Sequence, residues 1–330
     1  MKAIVHEGKE GLAGLTYREF EEPITGPGMV KIKIKVAGMN RRDLLVTKNH
    51  KADAPPVILG CDGAGVIVET GEGAEKYSVG DEVIISPSIG WEKNSDAPPP
   101  GFQILCNPTH GTYAEYIVVP EEILEKKPEF LTWEEAGVLT LAALTGYRAL
   151  FTRGKVKAGD TVMLPGIGSG VLTFILKFAK AAGARVIVTS RSEEKRKKAL
   201  ALGADVAIPT ESDWNEELKG ETVDLLIESI GRATMNKSLA IIRHGGTIVT
   251  FGATTEDEVT IDIRKFFYGQ FNLLGSTLGS HEEFKEMLAF IEKHHIKPEL
   301  DRTFTLSEYQ EAFEYLRDSR NFGKIGIIVD

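Results

Sequence analysis

Two stretches of this 330-residue chain hold residue types at spacings that chemistry uses. In GDTVMLPGIGSGVLTFILKFAKAAGARVIVTS, 159–190, a strand-like run at 161–164 leads into Gly166, Gly168 and Gly170. Val171, Leu172, Ile175, Leu176 and Ala179 follow at helical spacing, then Gly183 and a second strand-like run. Glycines at such a turn let backbone N–H groups approach a pyrophosphate at a helix N-terminus, where the helix dipole favours negative charge. The order strand, turn, helix, strand is the context this cradle requires, so Gly166, Gly168, Ser169, Gly170 and Val171 are expected to hold a dinucleotide. The spacing is G-x-G-x-G, with Leu172 or Thr173 where a third glycine would let helix and strand pack closely, which predicts a variant turn.

A dinucleotide site that prefers a bare ribose places Asp or Glu at the end of the second strand, about 20 residues beyond the glycines. Here that strand ends Ser190, Arg191, Ser192, with no carboxylate until Glu193. A hydroxyl, the Arg191 guanidinium and the nearby Lys195 ammonium suit a 2′-phosphate, so NADPH is the expected cofactor. The alternative is that Arg191 and Lys195 only pair with Glu193 and Glu194 on the following helix.

The second stretch, VAGMNRRDLLV at 36–46, sets Asn40, Arg41, Arg42 and Asp43 between a strand-like run and Leu44-Leu45. Taken alone, four polar residues there are better explained by a solvated turn than by a reactive site.

The elements that must position these residues change character along the chain. Up to about 124, short β-branched or alternating runs (KIKIKV, AGVIVET, DEVIIS, YAEYIVVP) lie between Gly, Pro and Asp turn signals, an antiparallel, barrel-like pattern. From about 125, strand-length apolar runs alternate with helical patterns: TVMLPG, ARVIVTS, DLLIES, GGTIVTFGA and FNLLGST. Such alternation predicts βαβ units and a parallel sheet covered on both faces, so the fold class is α/β. EEFKEMLAFIEKHH reads as a helix with Phe284, Met287, Leu288 and Ile291 on one face, and KPELDRTF, SEYQEAFEYLR and GKIGIIVD read as elements returning to the first domain. The Pro-rich stretch 86–111 is long for a loop, which predicts a functional or mobile segment.

Length favours two domains, and a formal charge of −9 argues against a nucleic-acid partner, whose phosphates draw affinity from clustered Lys and Arg. KRKK at 195–198 follows Glu193 and Glu194, as expected of a solvated helix face. No apolar run approaches the ~18 residues that span a bilayer. Only Cys61 and Cys106 are present, which points to a reducing cytoplasm.

VAGMNRRDLLV, PPVILGCDGAGVIVETG, GTYAEYIVVP, LAALTGYRAL, the glycine turn, KALALGAD, GGTIVTFGATT and FGKIGIIV together resemble the medium-chain dehydrogenase/reductase superfamily over essentially the whole chain. The likeness is greatest to its zinc-free, quinone oxidoreductase-like members, including those called zinc-type alcohol dehydrogenase-like. It implies a GroES-like catalytic domain at 1–124 and 280–330 and a Rossmann domain at 125–279. In the zinc-dependent alcohol dehydrogenases of that superfamily a ligating cysteine stands at the position of Asn40, a histidine at Cys61, and the remaining cysteine at or near Leu141. Leucine cannot bind a metal, so no metal is expected. Cys61, Asp62, Cys106 and His110 are the one improvised alternative, and their spacing matches no zinc pattern.

The resemblance implies that Asn40 lies beside nicotinamide and substrate and offers a hydrogen bond, and that Arg42 either faces a developing oxyanion or points into solvent. It places Arg41 at the pyrophosphate, gives Asp43 the task of orienting neighbours, and brings Thr145, Phe251, Gly252 and Ala253 to the nicotinamide end. The proton donor stays open among Tyr113, Tyr147, His110 and water. Without a Lewis acid, hydride transfer favours conjugated acceptors, so the expected activity is NADPH-dependent reduction of quinones or α,β-unsaturated carbonyl compounds. The rivals are a zinc alcohol dehydrogenase with altered ligands and a catalytically silent NADPH-binding protein. A homodimer is expected through the Rossmann domain, as relatives often form.

Overall fold

A computed structural model describes residues 1–106 and 108–329. The chain divides into two units, Met1–Ala142 with Gly279–Asp330, and Ala143–Leu278. The first unit is built around strand Met29–Gly38, in which Val30, Ile32, Ile34 and Val36 face the core while Lys31, Lys33 and Lys35 face outward. That strand pairs antiparallel with Asp62–Thr70, Tyr116–Pro120 and Lys324–Ile328, so residues far apart in sequence meet at its C-terminal end. The returning C-terminal segment supplies strand Leu300–Thr305, helix Tyr309–Arg317 and strand Lys324–Ile328, and the two strands pair in parallel within an otherwise antiparallel sheet.

The first unit extends past residue 124, the boundary expected from the change in pattern. Strand Leu124–Lys126 pairs with Glu82–Ile85, and helix Trp133–Gly137 lies so close to the central strand that a Cβ on Gly137 would sit 2.5 Å from the Val36 carbonyl oxygen. Composition changes at 125, whereas packing changes near 142.

The described part of the Pro-rich stretch is tied down at several points. Strands Ser88–Ile89 and Gln103–Ile104 pair, Trp91 is buried edge-to-face with Phe102, and the backbone N–H groups of His281 and Glu282 donate to the carbonyls of Trp91 and Glu92. The first two orphan donors of helix His281–His294 are thereby satisfied by the loop, and the third, on Glu283, by the Ser280 hydroxyl at 3.2 Å.

The second unit is a six-stranded parallel sheet in the order Val206–Pro209, Arg185–Ser190, Thr161–Leu164, Val223–Glu228, Ile242–Thr250, Asn272–Gly275. Its central strands carry continuous apolar runs, as burial on both faces requires: Val162, Met163, Leu164, Val186, Ile187 and Val188 are inaccessible to solvent. The first strand in sequence lies inside the sheet with its successors on either side, so the strand order reverses at its C-terminal end, where open α/β sheets bind ligands. No helix among the described residues is long and apolar enough to cross a membrane.

Candidate active site

Asn40 is the N-cap residue of helix Arg41–Asn49, at the end of the central strand of the first unit. Its side chain joins a buried ionic knot. Asp62, fully buried at the start of strand Asp62–Thr70, takes the Lys324 ammonium at 2.9 Å and the Asn40 Nδ2 at 3.0 Å on Oδ2, and the Thr140 hydroxyl at 2.9 Å and the Leu141 N–H at 2.6 Å on Oδ1. Lys324 also donates to Asn40 Oδ1 at 2.7 Å and to the Met39 carbonyl at 2.8 Å. The charges are paired, and every lone pair and proton of the ion pair has a partner, the condition under which a buried salt bridge is tolerated.

Asp43 stands three residues into the helix, fully buried, and its Oδ2 accepts from the Asn40 N–H at 2.8 Å and the Tyr113 hydroxyl at 2.6 Å. The orienting task expected of Asp43 thus has a geometry: it closes the first turn on Asn40 and commits the hydroxyl of Tyr113. Tyr113 is itself inaccessible to solvent, and burial beside Asp43 pushes its phenol well above the usual range. Burial pushes the Asp43 carboxyl up to about 6, against the opposing hydrogen bonds from Tyr113 and Asn40.

This raised value has a thermodynamic sign. Between the unfolded value near 4 and about 6, the folded protein holds a proton that the unfolded chain releases. The Asp43 contribution to stability is therefore greatest below that window and falls as pH rises through it, by about 3 kcal/mol at roughly 1.4 kcal/mol per pH unit. Asp43→Asn removes this dependence, because an amide does not ionise, and an amide oxygen at the Oδ2 position still accepts both hydrogen bonds. Denaturant titrations across the window should give a flatter stability profile for Asp43→Asn than for the native chain. Parallel profiles would show that Asp43 ionises normally.

Arg42 is half-buried, and its Nε is a buried donor with no protein partner among the described residues. Arg41 is exposed and its guanidinium contacts the Ser319 hydroxyl.

The donor set around Asn40 does not suit zinc. Asn40 offers an amide already engaged by Lys324 and Asp62, and residue 141 offers only a backbone N–H spent on Asp62. Cys61 is fully buried and donates to the Leu105 carbonyl at 3.1 Å, and its hydrogen bond with Cys106, together with burial, pushes its thiol well above the usual value. The improvised set fares no better: the lone pairs of Asp62 are filled, and His110 Nδ1 accepts from the Ile58 N–H at 3.2 Å. Among the described residues no group of three or more His, Cys, Asp or Glu converges as a metal site would require.

The second unit holds the glycine cradle. Strand Thr161–Leu164 runs into Gly166 and Gly168, at φ +79° and +130°, conformations that L side chains rarely adopt. A Cβ on Gly166 would lie 2.6 Å from Ile230, and one on Gly168 would lie 3.0 Å from the Lys195 side chain. Ser169 caps helix Gly170–Ala181 by accepting from the Leu172 N–H at 3.3 Å, and Val171 is half-buried in its first turn. Leu172 and Thr173, at the place of a third glycine, are buried, and the turn is tied to the second strand through Ile167 N–H to the Thr189 carbonyl at 2.8 Å. The result is a bare backbone turn at a helix N-terminus, which fits a dinucleotide pyrophosphate.

At the end of the second strand, Ser190 is buried and Arg191 exposed. Glu193 and Glu194 pair with Lys197 and Lys198 at 2.7 and 2.8 Å, one helical turn on, and the Arg196 guanidinium braces the Ser190 carbonyl at 2.7 Å. Glu193 and Glu194 thus make their close ion pairs with Lys197 and Lys198, while the Lys195 charge also acts on Glu194.

Thr145 is buried on helix Thr140–Tyr147. Phe251, Gly252 and Ala253 follow strand Ile242–Thr250 and hang on the preceding strand's turn: the N–H groups of Phe251, Thr254 and Thr255 donate to the carbonyls of Glu228, Ser229 and Ile230. That turn is itself braced by Glu228, whose buried carboxylate accepts from Ile230 N–H, Thr234 and Ser238 at 2.7, 3.0 and 2.9 Å. Sequence reasoning passed over Glu228, Thr140 and Lys324. Glu228 left a faint sign, a carboxylate closing an apolar strand, whereas the partnership of Lys324 with Asn40 across 284 residues left none.

A β-rich unit carrying a polar knot, followed by a parallel sheet with a glycine cradle, defines a nicotinamide-dependent dehydrogenase class. Residues 26–129 match the alcohol dehydrogenase GroES-like domain, and 170–293 match the zinc-binding dehydrogenase family. A zinc-type alcohol dehydrogenase-like protein of Schizosaccharomyces pombe is 33% identical over 100% of this chain and 99% of its own. The crotonyl-CoA reductase of Streptomyces collinus is 30% identical over 86% of this chain and 70% of its own. A solved NAD-dependent alcohol dehydrogenase, 34% identical, superposes with a TM-score of 0.94 over 100% of both chains. The chain belongs to the medium-chain dehydrogenase/reductase superfamily and is an oxidoreductase of that superfamily.

Proposed function

We propose that this oxidoreductase is zinc-independent, uses NADPH, and reduces quinones or α,β-unsaturated carbonyl compounds. The observation that carries this reading is the knot itself: at the positions where zinc-dependent relatives keep ligands, this chain has an engaged amide, a buried thiol and an alkyl side chain beside an ammonium that already neutralises Asp62. When bound, the nicotinamide supplies a hydride, which adds to the β-carbon of a conjugated acceptor and leaves negative charge on its oxygen. Asn40 and the open Nε donor of Arg42 stabilise that oxygen, and Asp43 holds the segment that presents them. Gly166, Gly168, Ser169, Gly170 and Val171 cradle the pyrophosphate with Arg41 as its counter-charge. Thr145 and the 251–253 segment orient the nicotinamide, while Ser190, Arg191 and Lys195 take the 2′-phosphate. The name of the crotonyl-CoA reductase supports conjugated substrates.

A panel of enones and quinones, assayed with NADPH on protein purified without chelator, tests the reading. Turnover that a chelator leaves unchanged, from protein without stoichiometric zinc, is the expected result. One tightly held zinc per chain, with activity lost to chelator and restored by zinc, would instead establish the zinc alcohol dehydrogenase reading. NADPH binding with no turnover on the panel would establish the silent one.

We further infer a homodimer and a cytoplasmic setting. Strand Asn272–Gly275 is an open sheet edge with exposed Leu273, and helix Ile263–Tyr268 before it exposes Ile263, Phe267 and Tyr268, an apolar edge suited to a second copy. Sedimentation equilibrium at the mass of one chain would refute the dimer. The two buried free thiols suit a reducing compartment.

A further inference from the structure

Lys324 is almost the last residue type expected at its position: an ammonium 2% exposed, on a strand of buried Ile325, Gly326 and Ile327. We propose that Lys324 is a positioning residue that fixes the orientation of the Asn40 amide and strengthens it as a donor toward the substrate's carbonyl oxygen. The inference rests on the reading of Asn40 as that donor.

The first part of the argument is a count of protons. An ammonium has three donors and no acceptor. Lys324 spends them on the Met39 carbonyl, Asn40 Oδ1 and Asp62 Oδ2, all within 2.9 Å. The Asn40 atom facing Lys324 must therefore be oxygen, since an NH₂ there would set donor against donor. The amide nitrogen is forced to the other side, where one hydrogen goes to Asp62 Oδ2 at 3.0 Å and the other makes only a long contact, 3.4 Å, with the Gly38 carbonyl. Asp62 takes four donors and Lys324 gives three. Within the knot, the second Nδ2 hydrogen is thus the weakly held one, and the one left for a ligand oxygen.

The second part concerns strength. A cation hydrogen-bonded to an amide oxygen draws electron density through the amide, and a donor so polarised in a low-dielectric site bonds more strongly to an anion. An oxygen gaining negative charge during hydride transfer benefits more than the neutral carbonyl of bound substrate, so the contribution belongs in kcat rather than KM. A purely structural counter-ion to Asp62 would affect stability and leave kcat alone.

Lys324→Met by itself strands the Asp62 carboxylate and can prevent folding, so the informative variants are Lys324→Arg, which keeps the cation, and the charge-free pair Asp62→Asn with Lys324→Met. Each is measured with and without Asn40→Ala for kcat, KM, NADPH binding by fluorescence, and melting temperature. The expected result is a kcat loss of roughly tenfold or more for Asn40→Ala and for the charge-free pair, with KM and NADPH affinity little changed and partial recovery in Lys324→Arg. Adding the charge-free pair to Asn40→Ala should cost little further. In cofactor-free protein, the side-chain amide resonances that vanish in Asn40→Ala should also move in both Lys324 variants. Native kcat in the charge-free pair while Asn40→Ala is impaired would overturn the role of Lys324 alone, as would unmoved amide resonances. Native kcat in Asn40→Ala would overturn the reading of Asn40 and this inference with it.

Discussion

Asp62→Ala is expected to cost the folded protein about 3–5 kcal/mol, the usual consequence of removing one partner from a buried ion pair. Asp62 is fully buried and Lys324 is 2% exposed, so neither water nor a rearranged surface chain replaces the lost carboxylate. The Lys324 ammonium would remain in an apolar surround with two neutral acceptors, the Met39 carbonyl and the Asn40 amide oxygen. The Thr140 hydroxyl and the Leu141 N–H would lose their acceptor as well, so the loop, two strands and helix that meet at Asp62 come apart at one point. The charge-free pair Asp62→Asn with Lys324→Met should recover most of the loss, because the main penalty is the unpaired charge rather than the absence of attraction. Urea titration measures both. A loss below about 1 kcal/mol for Asp62→Ala would mean that the ammonium escapes to solvent, and the knot would not be the anchor of this site.

Arg191→Ala is expected to lower kcat/KM with NADPH by roughly tenfold or more, with little change for NADH, since a charge-assisted hydrogen bond contributes about 1.5–3 kcal/mol. The strand end carries Ser190 and Arg191 with no carboxylate to bind a ribose hydroxyl or to repel a phosphate. The glutamates that follow are held by Lys197 and Lys198, and Arg196 stiffens the backbone of the turn through the Ser190 carbonyl. The Lys195 chain lies against Gly168, which brings its stem beside the phosphate cradle. Equal loss with both cofactors, or a native preference for NADH, would remove the 2′-phosphate assignment.

The fold and the cradle were legible because they rest on local periodicity and spacing. KIKIKV alternates, and its Ile and Val side chains are buried while its Lys side chains face outward. The strand, glycine turn and helix at 161–181 lie in one continuous segment whose geometry depends on φ values that glycine alone adopts easily. The pairing of Glu193 and Glu194 with Lys197 and Lys198 follows from the same helical spacing. The limit of the first unit was misplaced because Leu124–Lys126 and Trp133–Gly137 belong to it by packing, although the composition has already changed.

Sequence by itself thus determined the α/β class, the place of the glycine turn, the absence of a carboxylate at the end of the strand that follows it, and the amide and alkyl side chains that stand at positions 40 and 141. Only tertiary structure decided what fills that place. Asn40, Asp62, Thr140 and Lys324 are spread over 284 residues and belong to a loop, two strands and a helix, so no periodicity relates them. They meet because the C-terminal strand Lys324–Ile328 pairs with Met29–Gly38, which sets an ammonium beside the N-cap of the helix that carries Arg42 and Asp43. Burial then makes each partner obligatory: an unpaired ammonium or carboxylate is too costly in an apolar interior, so once the strands pair, charge satisfaction dictates which way the Asn40 amide faces.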